Sequence, residues 1–193
     1  MNLIIDLVNG ILFQLHRFKP QLWLFDAFLI WAGTIKICKC EKNRTRTAKV
    51  LELAFWAYFV ILFSGTIFMR RPRKIMHCLV NPLPFFQNVL NGSKYSQIQF
   101  LYNILMFIPF GILYPLVSAV KADSENSECG LEKGLLLRRE GVLQMAFLCS
   151  LLIEVIQLVT RRGFFEIADI INNVLGAGIG WLMVMSVAKR KEK

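Results

Sequence analysis

Residues 150–180 read SLLIEVIQLVTRRGFFEIADIINNVLGAGIG, and this stretch decides the fold. Two strongly apolar runs are joined by a tight turn at 161–164, the pattern of a helical hairpin. Into it the sequence places Glu154, Gln157, Arg161, Arg162, Glu166, Asp169, Asn172 and Asn173. Ionisable and amide side chains at membrane depth are costly, so they are kept for a partner, a ligand or a pathway. Function is to be sought here.

Working outward, composition places the whole chain in a bilayer. Of 193 residues, 55% are hydrophobic and only 19% charged, against about 25% charged in soluble domains. The mean hydropathy is +0.50. The apolar residues fall in long blocks, so an all-α, polytopic membrane helical bundle is expected. A spanning helix needs roughly 20 apolar residues. Five segments approach that: 22–38, 51–69, 98–120, 141–160 and 165–187. The range is four to six, because 22–38 carries Asp26 and Lys36, and because 2–15 borders on a further partial span. Residues 2–15 read as a short interfacial helix, with no cleavage site after them.

The chain divides into an N-terminal region 1–50 ending in a basic loop, a main transmembrane domain 51–188, and a basic tail 189–193. Residues 70–97, with their prolines and Asn91-Gly92, read as irregular backbone. Residues 121–140 are the most polar connection.

The net charge of +10 does not point to nucleic acid. The basic residues cluster in short loops beside apolar runs, where they orient spans and touch anionic lipid. No nucleic-acid recognition motif is present. Membrane lipids are therefore the expected partners. Across five spans, fourteen basic residues fall on one side and nine on the other, which favours a cytoplasmic C-terminus and an exterior N-terminus. Five cysteines (Cys38, Cys40, Cys78, Cys129, Cys149) give no disulfide framework. Cys38-x-Cys40 lacks a second ligand pair, so no metal is expected. No cofactor-binding motif appears. His16 and His77 are isolated from any nucleophile motif, and nothing argues positively for an enzyme.

Alternating spans bring several polar groups to one membrane face, whichever way the protein is oriented. These are Arg70, Arg71, Asn81, Asn103, Glu154, Arg161, Arg162 and Asp169. Glu154, Gln157, Arg161 and Arg162 lie at i, i+3, i+7 and i+8, one face of a helix. At ~1.5 Å rise per residue, Glu154 sits about 10 Å below the turn. It either holds arginine geometry for an anionic ligand or pairs with an arginine to pin the bundle. Asp169, Asn173, Gly176 and Gly180 form a second stripe. Asp169 and Asn173 are candidates for a polar clamp or a ligand contact. Gly176-x-x-x-Gly180 allows close helix packing in lipid. Asn103 precedes Pro109 and Gly111, and Pro115 follows, so this span is expected to bend.

Together these residues resemble the VanZ-like family of bacterial membrane proteins. The resemblance rests on Arg71, on Val80-Asn81-Pro82-Leu83-Pro84-Phe85, and on Asn103-Ile-Leu-Met-Phe-Ile-Pro-Phe-Gly111. It continues with Ser150-Leu-Leu-Ile-Glu154-Val-Ile-Gln157, Arg162 and Asp169-Ile-Ile-Asn-Asn173-Val-Leu-Gly176-Ala-Gly-Ile-Gly180. The match covers roughly 55–185. Relatives tend to carry an acidic cluster resembling Asp-x-Asp-Asp where this chain has Glu166-Ile-Ala168-Asp169. Ala168 thus replaces one carboxylate, and a mechanism needing two adjacent acids lacks one of them here.

The resemblance implies a multi-pass protein of the cell envelope, whose namesake is associated with reduced susceptibility to teicoplanin. The expected function is engagement of an anionic lipid, a lipid-linked cell-wall precursor or a lipoglycopeptide by the polar cluster. The alternatives are an intramembrane enzyme acting on a lipid headgroup, with Glu154 or Asp169 as general base, and a small transporter using the carboxylates as a proton relay.

Overall fold

The structure, a computed structural model, describes residues 5–9, 20–40, 45–68, 70, 72–123 and 139–191. Arg71, most of 2–15 and the greater part of the polar connection 121–140 lie outside these residues. Helix α1 spans Pro20–Cys40 and α2 spans Arg46–Phe63, continuing into a π-helical turn over Ser64–Phe68. Strand β1 (Cys78–Leu79) and the short helix α3 (Leu83–Leu90) follow, then the long α4 (Lys94–Asp123). Helix α5 (Arg139–Val159), strand β2 (Phe165–Glu166) and α6 (Ile167–Lys191) complete the order.

Among the described residues, four helices are long and apolar enough to cross a membrane: Arg46–Phe68, Lys94–Val120, Gly141–Val159 and Ile167–Arg190. Helix α1 is not among these four. Thr45 starts α2 by accepting the Ala48 N–H on its hydroxyl at 3.4 Å, an N-cap. The four spans bury an aromatic and aliphatic core around Leu62, Phe107, Phe110, Ala146, Ile153 and Ala177, and a second cluster of Ala119, Val142, Trp181 and Met185.

Helices α4 and α6 run parallel and touch backbone to backbone. A Cβ on Gly176 would run into the Ile104 carbonyl, one on Gly180 into the Ile108 carbonyl, and one on Gly111 into the Ala177 carbonyl. Contact this close, without side chains between, is how small residues join helices in lipid. Pro109 and Pro115 both lie inside α4. Their missing N–H groups leave the carbonyls of Leu105 and Gly111 without the usual helical donor.

Residues 70–97 are more ordered than their prolines suggest. Pro82 caps α3 and Pro84 lies in its first turn, the part of a helix where a missing N–H costs nothing. β1 pairs in parallel with β2, Cys78 opposite Phe165 and Leu79 opposite Glu166. The loop is thereby stitched to the start of α6. The last span begins at Ile167, two residues later than its apolar pattern implies, because Phe165 and Glu166 form that strand.

The hairpin turn also departs from a continuous helix. Helix α5 stops at Val159, and Arg161 takes a left-handed φ of 57°. The Arg162 N–H bonds to the Gln157 carbonyl at 2.8 Å and the Arg161 N–H to the Leu158 carbonyl at 3.0 Å, a Schellman-type ending. Arg161 and Arg162 therefore leave the helical face that carries Glu154 and Gln157.

Candidate functional site

At the end of the bundle where α2 and α5 finish and α4 and α6 begin, four elements contribute polar side chains to one cluster. Its floor is acidic. Asp169, buried in the first turn of α6, accepts from Asn103 Nδ2 at 2.6 Å and from Gln99 Nε2 at 3.1 Å. Gln99 and Asn103 lie one turn apart on α4, which is why both reach the same oxygen. Gln99 Nε2 also lies 3.2 Å from Glu166 Oε2. Glu154, only 2% exposed, accepts the backbone N–H of Glu166 at 3.0 Å. Three carboxylates from α5, β2 and α6 thus each accept from an amide donor.

Deeper along α6, Asn173 Nδ2 donates to the Ser150 hydroxyl at 2.8 Å and ties α6 to α5. The neighbouring Asn172 is fully buried, and neither of its side-chain amide atoms has a partner.

The other half of the cluster is cationic and grips the end of α2. The π-helical turn leaves the last carbonyls of that span without helical donors. Gln157 Nε2 donates to the Thr66 carbonyl at 3.2 Å. Arg162 Nη1 donates to the Phe68 and Ile67 carbonyls at 3.1 and 3.3 Å, and its guanidinium carbon lies 5.9 Å from the centre of the Phe68 ring. Arg70 Nη1 donates to Gln157 Oε1 at 3.0 Å. Gly163 leaves room for this pair, since a Cβ would sit 2.5 Å from Gln157 Oε1 and 3.0 Å from Arg70 Nη1 and displace them. Outside this ring, Arg73 lies over the Phe164 ring at 4.2 Å, and its N–H bonds to the Arg161 carbonyl at 2.6 Å.

Of the residues singled out in the sequence, Asn103, Glu154, Gln157, Arg162 and Asp169 meet in this cluster, and Asn173 lies below it. Asn81 does not join them. It is exposed, and its Oδ1 accepts the Leu83 N–H at 3.0 Å, so it initiates α3. Arg161 is exposed at the turn and contributes a carbonyl to the Arg73 N–H.

Sequence reading missed Gln99 and Thr66, quoted Ser150 only within a family motif, and noted Glu166 among the polar residues of the hairpin without placing it in the cluster. Two of these carried a signal. Gln99 lies four residues before Asn103 and Ser150 four before Glu154, each on the same helix face. Thr66 had none, because it acts through its carbonyl.

Chemically the cluster offers exposed guanidinium groups above buried carboxylates. Arg70 uses one N–H on Gln157, while a guanidinium has five, arranged to match a phosphate or carboxylate. Among the described residues, no group of three His, Cys, Asp or Glu side chains is arranged to hold a metal ion.

Compared with known families, residues 50–188 match the family described as VanZ/LLP1. No curated protein and no solved structure matches. The match spans the four apolar helices and every residue of the cluster, so this chain belongs to the VanZ-like family of membrane proteins.

Proposed function

We propose that this VanZ-like protein engages the anionic headgroup of a membrane lipid or lipid-linked cell-wall precursor through its arginine-rimmed cluster. In this reading the engagement lowers susceptibility to teicoplanin or other lipoglycopeptides. The supporting observation is the aiming of Arg70 by a buried glutamine. Gln157, 1% exposed, fixes the guanidinium of an otherwise exposed arginine at 3.0 Å, and Arg73, Arg161 and Arg162 stand nearby. Fixed, partly desolvated guanidinium groups bind phosphate through paired, charge-assisted hydrogen bonds. The excess of basic residues in the loops at the opposite end supports a cytoplasmic C-terminus and an outward-facing cluster, on the side where envelope precursors and glycopeptides meet.

The test compares teicoplanin susceptibility of a strain lacking the protein with strains complemented by wild type, Arg70→Gln or Arg162→Gln. Loss of protection in both variants, with normal membrane insertion, is expected. Protection equal to wild type in both refutes the reading.

A second reading, an intramembrane enzyme acting on a lipid headgroup, draws on the buried carboxylates. Glu154 and Asp169 come from facing helices and are bridged through Glu166 and Gln99, a setting in which one of them can serve as a general base. Identical lipid species in cells with and without the protein would exclude it.

A further inference from the structure

Helix α1 is fastened to α2 at three points. The Trp56 indole N–H donates to the Leu29 carbonyl at 3.0 Å. The Ser64 hydroxyl donates to Asp26 Oδ1 at 2.5 Å, and Gly33 lies against the Trp56 ring, leaving no room for a Cβ. Between α1, α2 and α4 a cavity of about 790 Å³ stays open, walled by aromatic and aliphatic side chains such as Leu29, Phe55, Phe59 and Tyr114. Its size lies within the roughly 300–1,000 Å³ of small-molecule sites. The helices around it face lipid rather than water, as the exposed Leu24, Phe28 and Trp31 of α1 attest. Apart from Lys36, Glu52, Ser64 and Ser118, the side chains that line it are aromatic or aliphatic, a surface suited to hydrocarbon.

The cavity is joined to the polar cluster through one residue. Phe68 lines it, and the same Phe68 supplies the carbonyl and the ring against which Arg162 is set. Phe25, also on the cavity wall, meets the Phe68 ring edge to face at 6.4 Å between centroids. Arg162 is thus set against a residue of the cavity wall, and an amphiphile with its tail between α1 and α4 would bring its headgroup past Phe68 toward Arg162.

We propose that this cavity is a binding site for an acyl chain of an anionic phospholipid whose phosphate is held at Arg70 and Arg162. The charge of the rim favours the anionic headgroup, and the aromatic walls favour the chain. The proposal rests on the headgroup reading above and adds to it the place of the tail.

The experiment is native mass spectrometry of the full chain in a neutral detergent. The protein is titrated with dioleoyl phosphatidylglycerol, with dioleoyl phosphatidylcholine, and with phosphatidylglycerols of graded chain length. Wild type is expected to retain one phosphatidylglycerol in preference to phosphatidylcholine, with retention rising as the chain lengthens. Leu29→Trp and Ser118→Trp fill the cavity from opposite walls. Each is expected to lower retention at least tenfold, since excluding two methylenes suffices for about that factor. Glycerol 1-phosphate should bind these variants as it binds wild type, because the rim is untouched. Correctly folded filled variants that retain phosphatidylglycerol like wild type would overturn the proposal, and so would retention independent of chain length in the unaltered protein. Equal retention of both lipids, still lost on filling, would overturn the headgroup reading and support the cavity assignment.

Discussion

Replacing Gln157 by Leu separates the two jobs of this side chain. Gln157 is 1% exposed and makes two bonds, accepting from Arg70 and donating to the Thr66 carbonyl. Leu has a similar size, so little cavity forms. Arg70 is exposed and recovers its lost bond from solvent. The Thr66 carbonyl, buried at the end of a π-helical turn, recovers nothing. An unsatisfied buried acceptor costs about 1–3 kcal/mol, which lowers the folding equilibrium roughly 5- to 140-fold. The assay follows thiol labelling during thermal unfolding, with the other four cysteines replaced by Ser so that buried Cys149 reports. Gln157→Leu should unfold measurably earlier, and Arg70→Met should also be destabilising, because it leaves the buried Gln157 Oε1 without its donor. The reasoning is refuted if Gln157→Leu matches wild type.

Gly176→Ala should cost about 1–3 kcal/mol through overpacking, because the new methyl meets the Ile104 backbone, which cannot rotate away. The same labelling assay measures it, and a neutral result would mean that α4 and α6 separate freely. Arg161→Gly should stabilise by about 1 kcal/mol, since its φ of 57° is a conformation that costs a non-glycine residue roughly that much; an unchanged midpoint would count against strain at this turn. With Cys78 as the sole cysteine, exposed on β1, a membrane-impermeant maleimide should label intact cells. Labelling only after lysis would place the cluster on the cytoplasmic side.

The helices were legible because lipid imposes one rule, about twenty apolar residues per span, and the sequence obeys it in blocks. The meeting of Asn103 with Asp169 was legible from alternation alone, since consecutive spans return their ends to the same face. What escaped was set by backbone rather than side-chain identity. The stop at Val159 turns on a left-handed Arg161, a position where glycine is the usual signal and none is present. Helix α3 was hidden by Pro82 and Pro84, which read as breakers yet sit where a helix begins. Thr66, Ile67 and Phe68 matter through carbonyls that a π-helical turn releases, and no residue pattern announces such a turn. Asn81 looked like a cluster member because it shares the face, but its side chain is engaged two residues along its own chain.

The orientation of the four spans has an electrostatic consequence for the face that carries the cluster. Helices α4 and α6 present their N-termini there, while α2 and α5 present their C-termini. Each N-terminus carries about half a positive elementary charge and each C-terminus about half a negative one, so the backbone contributions nearly cancel. The field at this face is then set chiefly by side chains, among them Arg70, Arg73, Arg161 and Arg162 against Glu154, Glu166 and Asp169. Exchanging one of these residues therefore changes the charge balance of the face without disturbing a single helix.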